Sequence, residues 1–383
     1  MTEKSAVTMQ YTVVKARLHP TAEQARQMEK TFGCCRYLWN QMLADVQEFY
    51  AATDLHYIPT PARYKKTAPF LKEIDSQALC AVHQNLRRAF LDFFRNPSAY
   101  HYPRFRTKKA RRDSFTVYSR PYRTGPSIRL TEEGIQLAKL GVVRLNLHRR
   151  PLHWWSLRSV TVSRSRSGKY FCAITFGYAA KRPEPVVPAP ENTLGLHYSP
   201  ARFYVDSGGG SPVLPDLAKS REKLARMQKK LSRMEPGSRN YGEQQQRIRL
   251  QHEHIANQRK DFVHKESRRI ANAWDAVCVR DTDLVELPRK LRPAHAADAG
   301  FGMFRECLQY KLERQGKAYI VVDRYAPAAR TCHACGHVNG NLAAGARTWT
   351  CPACGAELIR EVNTARNLRD FGLKETGALG AVS

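Results

Sequence analysis

Two cysteine pairs near the C-terminus constrain the fold of this chain more than any other feature. Cys332-His-Ala-Cys335 is followed after fifteen residues by Cys351-Pro-Ala-Cys354, and a glycine closes each pair, Gly336 and Gly355. Two residues between paired cysteines let one tight turn aim both thiolates at the same ion, and the glycine accepts the backbone angles that the turn imposes. Four sulfur ligands complete a tetrahedron with no open position, so the spacing implies a structural Zn2+ in a zinc ribbon. The other six cysteines, Cys34, Cys35, Cys80, Cys172, Cys278 and Cys307, lie in apolar or mixed runs and are expected to be reduced core residues. No charged and apolar leader and no apolar run of membrane-spanning length stands in the sequence, so a cytoplasmic protein without a membrane partner is expected.

Charge identifies the class of partner. Lys plus Arg number 63 against 34 Asp plus Glu, a formal charge of +29 with a pI of about 10.0. Such an excess repels itself unless a polyanion is bound, and nucleic acid is the expected ligand. The 383 residues, 42% of them hydrophobic, can support two or three domains with cores of their own, which excludes a disordered basic tail.

Along the chain, residues 9–18 have strand composition, and Thr21 with Gln24 forms a capping box that opens a helix. Met28, Phe32, Tyr37, Leu38, Met42 and Val46 recur at helical spacing, and a second helix is expected over residues 76–95 with Leu79, Val82, Leu86, Phe90 and Phe93 on one side. Residues 102–123 interleave Arg104, Arg106, Lys108, Lys109, Arg111 and Arg112 with Tyr102, Phe105, Phe115, Tyr118 and Tyr122. Cations there can pair with phosphates while aromatic faces stack on unpaired bases. Strand-like runs follow at 142–147, 157–163 and 170–178, the last two joined by a hairpin turn at 164–169. Pro183, Pro185, Pro188 and Pro190 mark a linker and a domain boundary. Beyond it, strands at 192–197, 201–206, 276–279 and 318–322 alternate with a long basic helical region over 217–273 and a helix over 304–315. That order is compatible with an RNase H-like mixed α/β layer.

These blocks together resemble the TnpB family, transposon-encoded RNA-guided nucleases ancestral to type V CRISPR effectors. The resemblance covers most of the chain and rests on HPTAEQ (19–24), KTFGCCRYLWN (30–40), LKEIDSQAL (71–79), YPRFRTKK (102–109), IANQRKDFVHK (255–265) and VDRYAPAARTCHACG (322–336). It implies a multidomain α+β protein. A wedge-type β-barrel would occupy 1–20 and 100–180, an inserted recognition helix bundle 21–99, and a linker 181–191. An RNase H-like RuvC domain would follow over 192–330 and 356–370, interrupted by the ribbon at 331–355, with a tail at 371–383. It further implies a guide RNA, a double-stranded DNA target beside a short adjacent motif, and a bacterial, nucleoid-associated setting. Nucleic-acid contacts are expected from Lys72, Ser76 and Gln77, from the basic run at 104–112, and from Arg259 and Lys260.

The family's RuvC chemistry uses two divalent ions held by three carboxylates, because Mg2+ takes hard oxygen ligands and two close ions need several negative charges between them. Where the resemblance places the first Asp, in a G-x-D-x-G pattern, this chain has Gly195-Leu196-His197-Tyr198-Ser199; where it places the Glu, Arg280 stands; where it places the last Asp, Glu361 stands. The formal charge of the three positions moves from minus three to about zero with His neutral, which removes the electrostatic reason for two cations to sit together. The departures point to a nuclease-dead relative resembling the TnpB-like repressors called TldR. Rescue of an ion by Asp206, Asp281 or Asp283 would make it an active endonuclease instead. A third reading is a guide-RNA-binding protein that never engages DNA.

Overall fold

The computed structural model describes residues 7–108, 113–122, 125–181, 183–199, 201–282, 300–343 and 345–377. The chain divides into two compact units, Met1–Lys181 and Arg182–Ser383.

The first unit opens on strand β1 (Val7–His19), in which Thr12, Val14, Ala16 and Leu18 point into the core and the odd-numbered residues point out, as a half-buried strand requires. Helix α1 (Ala22–Thr53) begins at the capping box: Thr21 Oγ1 accepts the Gln24 amide and Gln24 Oε1 accepts the Thr21 amide. Gln24 Nε2 also donates to the carbonyls of Leu140 and Val142 at 3.0 and 2.8 Å, so the helix start is tied to the sheet. Helices α2 (Pro61–Thr67) and α3 (Ser76–Arg95) follow, the latter capped by Asp75. Strands β2 (Asp113–Tyr118), β3 (Pro121–Tyr122), β4 (Gly125–Pro126), β5 (Arg129–Leu130), β6 (Gly134–Leu137), β7 (Gly141–Asn146), β8 (Ser156–Arg164) and β9 (Tyr170–Lys181) complete the unit. Seven of its strands make one sheet in the order β2-β8-β9-β1-β7-β6-β5, and β3 with β4 is a separate hairpin. Met28, Phe32, Leu38, Met42 and Val46 of α1 share one core with Leu79, Val82, Leu86 and Phe90 of α3 and with the inner face of the sheet. The buried Asp113 carboxylate accepts from Arg36 at 2.9 Å and Arg164 at 2.6 Å, fastening α1 to β2 and β8.

Two expectations fail here. Phe115 is not available to stack on bases: it is buried, 5.5 Å from Phe32, because its register opposite Val162 turns it inward. Cys80 is exposed on α3, whereas the other five non-ribbon cysteines are buried.

In the second unit, strands β10 (Thr193–Ser199) and β11 (Phe203–Asp206) form an antiparallel pair. A helical hairpin, α4 (Ala218–Leu231) and α5 (Arg239–Ala273), breaks at Pro236-Gly237 and leads into β12 (Ala276–Arg280). Then come α6 (Phe301–Glu313), β13 (Ala318–Val322), β14 (Thr348–Thr350), β15 (Glu357–Ile359) and α7 (Arg360–Glu375). The main sheet has the order β11-β10-β12-β13, with β10, β12 and β13 parallel. Its two faces follow from strand alternation. Leu194, Leu196, Val277 and Val279 pack with Val263 and Ile270 of α5 and Phe304 and Leu308 of α6. Ala276, Cys278, Ile320 and Val322 face Leu368 of α7 on the other side. Among the described residues, no helix is long and apolar enough to cross a membrane.

Candidate functional site

The four ribbon cysteines converge. Cys332 Sγ lies 3.7 Å from Cys354 Sγ, Cys335 Sγ lies 3.7 Å from Cys351 Sγ, and all four sulfurs fall within 4.8 Å of one another. A tetrahedron with Zn–S bonds of about 2.3 Å has edges of about 3.8 Å, so the tetrad fits Zn2+. Each pair sits on a turn closed by its glycine. The Gly336 amide donates to Cys332 O at 2.8 Å and the Gly355 amide to Cys351 O at 2.9 Å, with φ of 78° and 71°. Among the described residues this is the one group of three or more His, Cys, Asp or Glu placed to share a metal ion.

Helix α7 locks the ribbon to the sheet through polar side chains that sequence reasoning did not single out as ties. Asn363 and Asn367 are 1% and 3% exposed. Asn363 donates to Thr331 O at 2.7 Å and accepts the His333 amide at 3.0 Å, while Asn367 donates to the carbonyls of Ala328 and Thr331 at 2.8 and 2.6 Å. Arg366 spans from His333 Nε2, at 2.7 Å, to Ser207 O, at 3.1 Å. The signal was present: two asparagines four residues apart on a helix of which Ala365 and Leu368 are core residues, beside a cysteine pair, mark a face that must find partners.

The second candidate centre is the end of the main sheet. Leu196 pairs with Val279 and Arg280 with Val322, so alternation puts His197 and Arg280 on the face that carries α7. Gly195 shares this face, and a Cβ there would stand 1.9 Å from Ala365 O. The helix therefore lies directly on the strand, and its first turn carries Glu361. Electrostatics reports the same convergence. Burial pushes the His197 imidazole down to about 4, the Arg280 guanidinium pushes it the same way, and Glu361 opposes them in part. The ring is neutral at pH 7. Arg280 Nη2 donates to Ala326 O at 2.8 Å, and its Nε is shielded from solvent without a hydrogen-bond partner among the described residues.

The nearby acids are committed elsewhere. Asp206 stands opposite Leu196 in the antiparallel pair, hence on the other face from His197, and its Oδ1 accepts the amides of Gly208 and Gly210 at 3.0 and 2.7 Å. Asp281 accepts both Nε and Nη2 of Arg324, at 3.1 and 2.7 Å. Asp283 lies outside the described residues.

Within the first unit the expected nucleic-acid residues fall into two groups along α1. Lys72 and Ser76 are exposed and Gln77 half-buried at the start of α3. That segment meets α1 at Gln27 and Lys30, through Glu73. Arg104 and Arg106 meet α1 at Trp39 and Asn40, roughly 16 Å further along its axis. Arg106 is partly spent on structure, its guanidinium lying 3.6 Å from the Trp39 ring centroid. Lys108 is exposed, and Lys109, Arg111 and Arg112 lie outside the described residues. Arg259 is half-buried and Lys260 exposed on α5 in the other unit.

Comparison with known proteins places this geometry in a class. The fold is shared with a chain in a cryo-EM structure of a Cas12f1-sgRNA-target DNA complex, with a TM-score of 0.60 at 11% identity over 95% of this chain and 99% of that one. Family models described as "Cas12f1-like, TNB domain", "Helix-turn-helix domain" and "Probable transposase" match residues 301–368, 9–54 and 180–288. Despite the second description, residues 9–54 form β1 and the single helix α1. A Streptomyces pristinaespiralis protein named "Putative RNA-guided DNA endonuclease" is 32% identical, covering 94% of this chain and 89% of its own. "Putative RNA-guided DNA endonuclease InsQ" of Escherichia coli is 28% identical over 94% and 91%. The chain belongs to the TnpB family.

Proposed function

We propose that this protein is a nuclease-dead, RNA-guided DNA-binding protein. It uses a guide RNA to bind a target beside a short adjacent motif and represses transcription without cutting. The observation that carries the reading is the sheet end, where His197, Arg280 and Glu361 converge and no group of three carboxylate or imidazole ligands forms among the described residues. In place of two carboxylates, a neutral imidazole supplies no negative charge and a fixed guanidinium repels the divalent ions that phosphodiester hydrolysis needs. Family membership and the +29 charge support binding of nucleic acid. The seven-stranded antiparallel sheet that shares its core with the helices supports a wedge-type barrel, and the antiparallel pair followed by parallel β12 and β13 supports an RNase H-like RuvC domain. Guide pairing would supply sequence specificity, and the uncut R-loop would block RNA polymerase. Lys72, Ser76 and Gln77 are assigned to the adjacent motif.

A second reading is favoured by the relatives' names: an active TnpB endonuclease whose ions are held by other carboxylates. Expression with the native flanking DNA, sequencing of co-purifying RNA, and a promoter reporter carrying the matching target separate these. Guide-dependent repression with an intact reporter plasmid supports the repressor. Loss of the plasmid supports the nuclease, and binding indifferent to guide sequence rejects both.

A further inference from the structure

Arg280 is a half-buried cation. Among the described residues no carboxylate lies within ion-pair distance of it. Of the five N–H groups of its guanidinium, one is seen to donate, to Ala326 O, and the Nε is sealed from water with no partner. Arg360 adds positive potential, lowering the His197 imidazole as Arg280 does, and the amide end of the sixteen-residue α7 begins here, while Glu361 opposes them in part. A partly desolvated charge left unpaired lowers the stability of a folded protein, and a chain keeps such a cost where a ligand offsets it. Burial accordingly holds the Arg280 guanidinium below its ordinary range.

We infer that Arg280 is an anion clamp: it binds a backbone phosphodiester of the nucleic acid that enters this sheet end, occupying by direct charge-assisted hydrogen bonding the role that metal ions fill in a cutting enzyme. The inference rests on the nuclease-dead reading and adds to it, since a strand that is held and not hydrolysed leaves slowly. The ligand is a phosphate of the chain and not a base, because the guanidinium stands at the end of the central strand β12 and offers charge-assisted donors that match a phosphate oxygen.

The test uses the full chain loaded with its guide RNA, comparing wild type with Arg280→Met and Arg280→Lys. With matched duplex DNA, Arg280→Met should release the target roughly 30-fold faster, and its salt dependence should be shallower by about one. Arg280→Lys should recover part of both. In parallel, free Arg280→Met should melt at the same or a higher temperature than wild type, because an unpaired charge has been removed. Unchanged release together with a lower melting temperature would overturn the clamp and leave Arg280 as a tie to Ala326. Repeating the comparison with single-stranded DNA and with guide RNA alone identifies which strand supplies the phosphate. If wild type cuts the target or fails to bind it, the nuclease-dead reading falls. The melting comparison then still judges the unpaired charge, and a destabilised Arg280→Met overturns it.

Discussion

Gly195→Ala should damage the second unit severely. The added Cβ would stand 1.9 Å from Ala365 O, 2.9 Å from Ala365 C and 3.0 Å from Arg369 N, all of them main-chain atoms of α7. To reach an ordinary C···O contact of about 3.3 Å, the helix would have to retreat by about 1.4 Å. It is not free to do so: Asn363 and Asn367 anchor it to Thr331 and Ala328, and Leu368 is fully buried against β12 and β13. Overpacking costs about 1–3 kcal/mol when side chains can adjust, and the upper end applies where the obstacle is backbone. At about 2–4 °C per kcal/mol for a unit of this size, a cost of about 3 kcal/mol lowers its transition by about 6–12 °C. Scanning calorimetry of the full chain reads this directly. A shift below about 2 °C would mean that α7 does not lie on β10 as described, and would undo the placement of Glu361 beside His197.

Other substitutions test the account from different sides. Gly33→Ala in α1 and Gly242→Ala in α5 meet nothing within 4 Å, so each should stabilise by about 1 kcal/mol through helix propensity; chemical denaturation checks the sign. Cys332→Ser with Cys335→Ser should abolish zinc retention measured by metal analysis, and a strong chelator should melt the ribbon in wild type; full zinc content in the double variant refutes the tetrad. His197 titrates at about 4 when folded against 6.5 unfolded, so the unfolded chain binds the extra proton between these values. Its contribution to stability is therefore complete above pH 6.5 and is lost as pH falls toward 4. Melting curves of wild type and His197→Gln should converge in slope only outside that window, and equal slopes within it would refute the assignment.

Much of this molecule is legible before any coordinates, for identifiable reasons. The capping box at Thr21 and Gln24, the bounds of α3, the inward alternation of β1 and the ribbon spacing are each decided by interactions within a few residues. What was illegible depends on partners far along the chain. Phe115 reads as a base-stacking residue until its pairing with β8 turns it into the core. The stacking of Arg106 on Trp39, 67 positions earlier, is likewise set by a partner distant in sequence. At the sheet end the residue types were readable, but the commitment of Asp281 to Arg324 and the single hydrogen bond from Arg280 to Ala326 required the loop after β13.

The central claim is that this sheet end holds a target and does not cut it. Guide-loaded protein incubated with matched duplex DNA in Mg2+, with binding and strand integrity read on the same samples, tests it most directly. The account predicts guide-dependent retention of intact DNA. Guide-dependent cleavage products, abolished by Glu361→Ala, would contradict it and return the protein to the endonucleases.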